Sequence, residues 1–208
     1  MLLASDTRRE FAGLFDLYVW VMIVTAAIVF GVVVFAAVRY RRGRGHAPSS
    51  RTEANTVEVV YAVILAAVIA LLVTRTFTTE NRVDAVASSG KLEVEITAFK
   101  WGWRFDYPAR GVSVVGDLRN PPSLHVPVGE PVLFAERSQD VVHSFWVPAL
   151  RFKRDAWPDD TTRFELTVDL PGVYAGRCAE FCGLHHADMT FLVVAERRAR
   201  FDRWLAKQ

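Results

Sequence analysis

Two long apolar runs dominate the first third of the chain, and each predicts a helix. Residues 17–38 and 59–74 contain no charged side chain and are rich in Val, Ile, Ala and Leu or Phe. Because a helix needs roughly 20 apolar residues to cross the hydrocarbon layer of a bilayer, the runs predict transmembrane helices at about 14–39 and 56–77. A cleaved signal peptide is the alternative for the first run, but the run is too long for one and no convincing cleavage site follows.

The segment between the two runs is basic and rich in turn residues. It carries five arginines between residues 39 and 51, interspersed with Gly, Pro and Ser. Because basic residues of short loops remain on the cytoplasmic side, we predict a cytoplasmic loop at 39–54 within a transmembrane hairpin at 1–80. Both termini, and the whole of 81–208, are then expected on the outer face of the membrane.

Alternation of polar and apolar residues predicts β structure after the hairpin. Three segments alternate and a fourth is almost continuously apolar, and Pro and Gly separate them. These strands are predicted at 91–98, 131–137, 164–170 and 189–195. Short strands at this spacing predict an antiparallel sandwich or a Greek-key barrel, and only 196–207 has helical character.

The composition excludes several classes of function. The 25 basic and 23 acidic residues nearly balance, so the chain lacks the basic excess of a nucleic-acid binder and no nucleic-acid partner is expected. Two cysteines are too few for a disulfide-dense scaffold or a multi-cluster iron–sulfur protein. The chain also lacks the Cys-x-x-Cys-His sequence that attaches c-type haem.

Residues able to carry chemistry concentrate between Cys178 and Met189. Soft thiolate and thioether groups beside imidazole form a ligand set suited to copper. The spacing Cys182-x3-His186-x2-Met189 is that of a mononuclear blue-copper loop, in which Cys and His bind the metal and Met lies at a longer distance. Such a site needs a second histidine, and His143, just past an upstream strand, is the candidate.

Cys178 has no function in a mononuclear site, which leaves more than one reading. Two thiolates four residues apart can each bridge two coppers, giving a Cu2S2 core with one histidine on each metal. In an exported domain the two cysteines could instead form a disulfide, while Met189 alone is compatible with core packing. His125 and His185 are compatible with surface or hydrogen-bonding positions. The density of ligand types, together with His143, favours metal binding.

Taken together, these motifs resemble those of subunit II of cytochrome c oxidase, the haem–copper terminal oxidase with a binuclear CuA centre. The resemblance covers almost the whole chain, and the 178–189 loop is its most specific part. Its other parts are the two-helix hairpin, 55–58, 101–107, 125–129, the motif around His143, 153–158 and Phe201-x-x-Trp204.

The resemblance implies a fold and a function for the whole chain. The expected fold is a two-helix transmembrane hairpin followed by an all-β, cupredoxin-like Greek-key sandwich or barrel at 81–208. The expected function is to accept electrons from cytochrome c and pass them to haem in subunit I, where oxygen is reduced to water with proton pumping. Expected partners are subunit I, other oxidase subunits and a cytochrome c that is soluble, tethered or in a supercomplex. The expected location is a bacterial cell membrane, with the copper domain on the periplasmic face.

The resemblance also implies a ligand for each position of the metal centre. Cys178 and Cys182 would bridge two copper ions, with His143 and His186 as the terminal imidazole ligands. Met189 would be a weak ligand to one of the coppers.

Three further roles follow from the same resemblance. The backbone carbonyl of Glu180 would be the weak ligand to the other copper, and its side chain would reach a Mg2+ or Mn2+ ion shared with subunit I. Trp101 would receive the electron from cytochrome c, and Glu58 would stand at the mouth of a proton pathway in subunit I. The chain departs from the family pattern at Lys100 and Arg177, which put positive charge beside Trp101 and the first cysteine.

Two alternatives belong to other functional classes. A membrane-anchored copper chaperone of the thiol-redox kind also has Cys-x3-Cys and a distant histidine. It usually has one anchor helix and an alternating α/β pattern, however, and lacks His-x2-Met after the second cysteine. A quinol oxidase subunit II has the same fold but has lost the copper ligands, all of which are present in this sequence.

Overall fold

The computed structural model describes residues 6–41, 54–86 and 92–208, and the chain divides into two compact units. One unit is Ala12–Glu80 and holds most of two long helices. The other combines Met1–Phe11 with Asn81–Gln208 and contains all the strands of the described residues.

The two helices of the first third are long and apolar enough to cross a membrane. Helix α1 is Asp6–Arg39 and helix α2 is Asn55–Val83, so the two predicted apolar helices are confirmed, with ends beyond the apolar runs. At about 1.5 Å per residue both exceed the roughly 30 Å of a hydrocarbon core. Most of their apolar side chains are exposed, as a lipid environment allows. The predicted loop at 39–54 lies, apart from its ends, outside the described residues.

Ten strands of the described residues form two sheets that pack face to face. They are β1 Leu92–Phe99, β2 Gly102–Tyr107, β3 Val112–Asp117, β4 Ser123–Pro127, β5 Pro131–Ser138, β6 His143–Val147, β7 Phe152–Ala156, β8 Thr162–Thr167, β9 Gly172–Cys178 and β10 Thr190–Glu196. The strand orders are β3-β2-β1-β5-β8 and β4-β10-β9-β6-β7. The predicted β-sandwich is therefore confirmed.

The sheets are antiparallel except at two pairs, β1 with β5 and β10 with β4. Each parallel pair joins strands that are distant along the chain, because parallel neighbours cannot be joined by a tight hairpin. Long-range pairing of this kind closes the sandwich, and it lies beyond the reach of a local pattern of alternation.

Aromatic rings fill the space between the sheets. Phe145 stacks on Phe191 with ring centroids 4.5 Å apart, and Phe134 stacks on Phe164 at 5.0 Å. All four rings are buried, since alternate residues of each strand point inward. At one edge of the domain, helix α3, Arg198–Leu205, buries two side chains, Phe201 and Leu205.

The first turn of α1 belongs to the same unit as the sandwich and is hydrogen-bonded to it. The Thr7 hydroxyl donates a 2.8 Å hydrogen bond to the carbonyl of Leu150, and the backbone N–H of Thr167 donates to the Asp6 carboxylate at 3.3 Å. These contacts hold the first described turn of α1, which precedes the apolar run, against the sandwich.

One carboxylic acid lies in the core of the sandwich. Glu136, in β5, is 0% exposed, and neither of its carboxyl oxygens has a hydrogen-bond partner in the described part of the chain. Alternation places it on the same inward face as Val132 and Phe134. Burial, reinforced by the charge of Asp155 and opposed by the nearby backbone N–H of Phe145 and the charge of Arg154, raises the pKa of Glu136 well above its ordinary value.

We predict that Glu136 makes the sandwich less stable as the pH rises. The folded chain keeps the proton that the unfolded chain releases above its ordinary pKa, so the free energy of unfolding falls from there up to the raised pKa. Glu136→Gln removes this proton and is expected to unfold at higher denaturant concentration than wild type at pH 8, but at a similar one at pH 4. Near-ultraviolet circular dichroism during denaturation of the full chain in detergent measures this.

The matched control is Glu95→Gln, on the exposed face of neighbouring β1. It is expected to leave the pH dependence of unfolding at its wild-type slope. A wild-type slope in Glu136→Gln as well would mean that Glu136 is ionised in the folded protein.

Candidate metal centre

The cysteines and histidines of the predicted centre meet at one end of the sandwich. His143 begins β6 and Cys178 ends β9, and these two strands are neighbours in one sheet. The loop that joins β9 to β10 carries Cys182, His186 and Met189. Strand ends fix two of the residues and a short loop between paired strands fixes the other three.

Two buried sulfur atoms form the middle of the site. Cys178 Sγ and Cys182 Sγ lie 3.8 Å apart, and each cysteine is 3% exposed. Both thiols are free, so the alternative of a disulfide is not what the structure contains. Two thiols in this contact can bind the same metal ion without being bonded to one another.

Each sulfur has an imidazole and a weaker donor beside it. His143 Nδ1 is 3.7 Å from Cys178 Sγ, and His186 Nδ1 is 3.6 Å from Cys182 Sγ. The Glu180 carbonyl oxygen is 3.3 Å from the first sulfur, and Met189 Sδ is 3.9 Å from the second. The site therefore has two similar halves, each with one sulfur, one imidazole nitrogen and one weaker donor.

This donor set fits copper. The ligand atoms of His143, Cys178 and Cys182 all lie within 4.8 Å of one another in buried surroundings. Thiolate, thioether and imidazole together are the ligands that copper prefers. A site for a hard cation would instead offer mainly carboxylate and carbonyl oxygens.

Asp140 fixes the orientation of the buried histidine. One carboxylate oxygen lies 2.8 Å from His143 Nε2, and the other accepts the backbone N–H of Lys100 at 2.7 Å. A carboxylate on the far nitrogen holds the ring so that Nδ1 faces the ligand side. Burial lowers the pKa of His143, but its contacts with Cys178 and Asp140 outweigh this and raise the pKa above its ordinary value.

The two thiols differ in acidity. Burial raises the pKa of Cys178, but its contacts with His143, His186 and the backbone at Glu180 and Ser144 together outweigh this and bring the pKa below its ordinary value. Burial and the neighbouring charge on Cys178 both raise the pKa of Cys182. One thiol therefore ionises well before the other, and a cation is needed to keep both as thiolates, the form in which cysteine binds metals.

Trp101 packs against the ligand loop from the turn between β1 and β2. Its indole N–H donates a 3.3 Å hydrogen bond to the carbonyl of Cys182. The ring of His185 meets the indole edge-on, with centroids 4.9 Å apart and planes at 81°. Gly183 has φ +119°, and a Cβ on it would lie 3.2 Å from Trp101 Cζ2, so only glycine lets the loop pass this close.

The remaining two predicted residues lie apart from the sulfur atoms. The Glu180 side chain is 45% exposed and forms an ion pair with Lys153 at 3.8 Å. Glu58 belongs to the helical unit, where it is exposed in the first turn of α2.

Sequence reasoning missed three residues of the site: Asp140, Gly183 and His185. Asp140 precedes His143 by three residues, a spacing that a search for partners of the histidine could have found. His185 and Gly183 gave no such signal, because their contact is with a tryptophan more than 80 residues earlier in the chain.

Comparisons with known proteins agree on one family. The family model described as cytochrome c oxidase subunit II, periplasmic domain, matches residues 113–196. Cytochrome c oxidase subunit 2 of Alkalihalophilus pseudofirmus is 33% identical over 89% of this chain and 54% of its own length. A probable cytochrome c oxidase subunit 2 of Streptomyces avermitilis is 28% identical over 87% and 69%. The chain thus spans about half the length of the first relative.

A solved structure shares the fold of the sandwich. The periplasmic domain of subunit II of cytochrome oxidase from Bradyrhizobium japonicum aligns with a TM-score of 0.52 and 23% identity. The alignment covers 59% of this chain and 96% of that one. This likeness confirms the predicted cupredoxin-like fold.

Substitutions at the sulfur atoms are predicted to have unequal effects on copper binding. Cys182 Sγ touches the other thiol, an imidazole and a thioether, so Cys182→Ser is expected to abolish tight copper binding. Met189→Leu is expected to retain the metal, because a distant thioether tunes such a site more than it holds it. Copper content after dialysis of the full chain against a chelator measures both effects.

Met22→Leu, in the exposed part of α1, is the matched control for the methionine substitution and is expected to bind copper as wild type does. Wild-type copper content in Cys182→Ser would show that this sulfur is not a ligand.

Proposed function

We propose that the chain belongs to the cytochrome c oxidase subunit II family, to whose members it is similar, and that it is the electron-accepting subunit of a membrane-bound terminal oxidase. It takes electrons from a cytochrome c and delivers them to haem in subunit I, where oxygen is reduced to water and protons are pumped. When bound, a binuclear copper centre supplies reversible one-electron chemistry. The observation that carries the proposal is the pair of unbonded thiols, each with its own imidazole and weaker donor.

The twofold character of the donor set supports two copper ions rather than one. Cys178 and Cys182 would hold the two ions, with His143 and His186 as the imidazole donors. Met189 and the carbonyl of Glu180, each beside one of the sulfur atoms, would be the weaker donors. A mononuclear site at Cys182 would leave Cys178 and His143 without a metal to bind, although both are buried and in contact with each other.

Rigidity of the donors suits electron transfer. His143 and Cys178 lie at the ends of paired strands, and the Asp140 carboxylate holds the imidazole of His143. Ligands held by strands and by hydrogen bonds move little when the charge of the site changes. The fold also disfavours a thiol-redox chaperone, since the described residues of the sandwich lack the alternating helices of a thioredoxin-like domain.

Trp101 is the point at which electrons arrive from cytochrome c. Its ring is half-buried, and one hydrogen bond joins its N–H to the carbonyl of the ligand Cys182. A donor that docks on this ring would lie close to the centre without displacing any ligand. Lys100, next to it and exposed, favours a donor that is less basic or is tethered.

Glu180 contributes to a second cation shared with subunit I. Its carbonyl faces the sulfur atoms, while its carboxylate is half-exposed and paired with Lys153. A carboxylate oxygen at a protein surface is a ligand that Mg2+ or Mn2+ accepts. One residue would thus contact copper through its backbone and the harder ion through its side chain.

Residues 1–80 act as the membrane anchor and 81–208 as the domain that carries the centre. The basic segment at 39–54 favours a cytoplasmic position for the loop and an outer, periplasmic position for the sandwich and both termini. Glu58, in the first turn of α2, is proposed as a residue at the mouth of a proton pathway that subunit I completes.

The test of the proposal is the metal content and spin state of the purified protein. We expect two coppers per chain and an electron spin resonance spectrum of one unpaired electron shared equally by two copper nuclei. The control is the Cys182→Ser chain, which should give no such spectrum. One copper per chain, or a hyperfine pattern from a single nucleus, would refute the binuclear assignment.

Trp101→Ala is predicted to slow electron delivery without changing the metal centre. The indole contacts the loop through a backbone carbonyl and supplies no ligand, so the copper spectrum should remain that of wild type. Reduction by soluble cytochrome c in stopped flow should slow by about a hundredfold, the size of effect that lost positioning produces. Reduction by a small mediator, hexaammineruthenium(II), should continue at the wild-type rate.

Trp157→Ala is the matched control, because Trp157 is an exposed tryptophan outside the centre. It should leave both rates unchanged. If Trp101→Ala accepts electrons from cytochrome c as fast as wild type does, the electrons arrive by another route.

A further inference from the structure

We propose that His185 is a positioning residue for electron transfer, which fixes the indole of Trp101 against the ligand loop. The inference rests on the proposed function, in which Trp101 receives the electron. It assigns a purpose to a histidine that is adjacent to a metal ligand and contributes no donor atom to the sulfur pair.

Consecutive histidines in the loop point to different targets. His186 directs Nδ1 to Cys182 Sγ at 3.6 Å, whereas the ring of His185 meets the edge of Trp101 with centroids 4.9 Å apart. The two residues thus join the same short loop to a sulfur on one side and to the indole on the other. A substitution of His185 therefore removes the contact with Trp101 and leaves the contact of His186 with Cys182 in place.

The hydrogen bond of Trp101 does not by itself fix the ring. A single N–H bond to the carbonyl of Cys182, at 3.3 Å, leaves the indole free to pivot about its nitrogen. His185 blocks that movement by packing on the ring with its plane at 81°. Close approach of the Gly183 backbone to Cζ2 limits movement in a further direction.

The loop holds His185 in this position through its own contacts. Asp188 Oδ2 lies 3.6 Å from His185 Nδ1, and the Asp188 backbone N–H donates to the His185 carbonyl at 3.1 Å. Next to it, the backbone N–H of His186 donates to the Gly183 carbonyl, also at 3.1 Å. The ring is therefore supported on one side by a carboxylate and held on the other against the indole.

The partial exposure of His185 beside Trp101 places it where it would affect electron transfer from a docked protein donor. Its side chain is 42% exposed, and the indole it supports is the group that a protein donor must reach. A misplacement of about 1 Å can slow a positioned reaction up to a hundredfold. A small mediator that does not need the indole is insensitive to that misplacement.

The experiment uses the purified oxidase complex with the full chain and compares three variants. His185→Ala removes the ring, and His185→Phe restores an aromatic edge without nitrogen. His125→Ala is the matched control, because His125 also packs on a tryptophan, Trp204, at 3.9 Å but away from the copper loop. Stopped-flow reduction is measured with soluble cytochrome c and, separately, with hexaammineruthenium(II).

We expect His185→Ala to slow reduction by cytochrome c about tenfold. Its rate with the small mediator and its copper spectrum should equal those of wild type. His185→Phe should recover to within about twofold of wild type, and His125→Ala should not differ from it. This combination supports a positioning role, since a loss of metal or of folding would slow both donors and would not be rescued by phenylalanine.

A second measurement reports the ring without electron transfer. The full chain is labelled with 5-fluorotryptophan, and the Trp101 resonance is assigned in its fluorine NMR spectrum by comparison with Trp101→Phe. We expect one sharp resonance in wild type and in His185→Phe, and a shifted or broadened one in His185→Ala. An unchanged resonance in His185→Ala overturns the inference.

The remaining outcomes separate this inference from the function on which it rests. A wild-type rate in His185→Ala beside a slow Trp101→Ala overturns the positioning role and leaves the proposed function intact. Wild-type rates in both variants overturn the route through Trp101, and the positioning role with it. Slow reduction of His185→Ala by both donors shows damage to the centre and also overturns the inference.

Discussion

The candidate metal centre depends on one constraint, which is that two buried thiols come into contact without bonding to each other. The sulfur atoms are 3.8 Å apart and nearly excluded from water, a distance at which two thiolates repel unless a cation lies between them. Cys178 is placed by the end of a strand and Cys182 by a loop between paired strands. A sheet supplies the stiffness that such a contact demands, which a helix hairpin alone would not.

Asp140 connects the surroundings of the two thiols to the neighbouring surface turn. Asp140 holds His143 from the far side of the ring, and the same carboxylate accepts the backbone N–H of Lys100, which precedes the tryptophan. The turn bearing Trp101 and the strand end bearing His143 are therefore tied to one acidic residue. The proposed electron-entry surface and the proposed copper site therefore share this support.

How much the sequence reveals depends on how local the cause is. Charge-free runs predict α1 and α2, and alternation predicts the strands, because both patterns act over a few residues. The candidate ligand loop is predictable because two cysteines, a histidine and a methionine with suitable spacing fall within twelve residues. The contact of His185 with Trp101 is not, since it needs two distant turns to meet. Glu136 is intermediate: alternation directs it inward, but the groups that surround its carboxyl come from strands of the other sheet.

The anchoring of the first helical turn has a consequence for biosynthesis. Thr7 and Asp6 bond to Leu150 and Thr167, which a ribosome adds more than 140 residues later. The start of α1 must therefore wait, with its polar groups in water, while both helices and most of the sandwich emerge. The contact can form only if the first turn and the sandwich reach the same side of the membrane. Its formation would then mark a chain that has been threaded correctly.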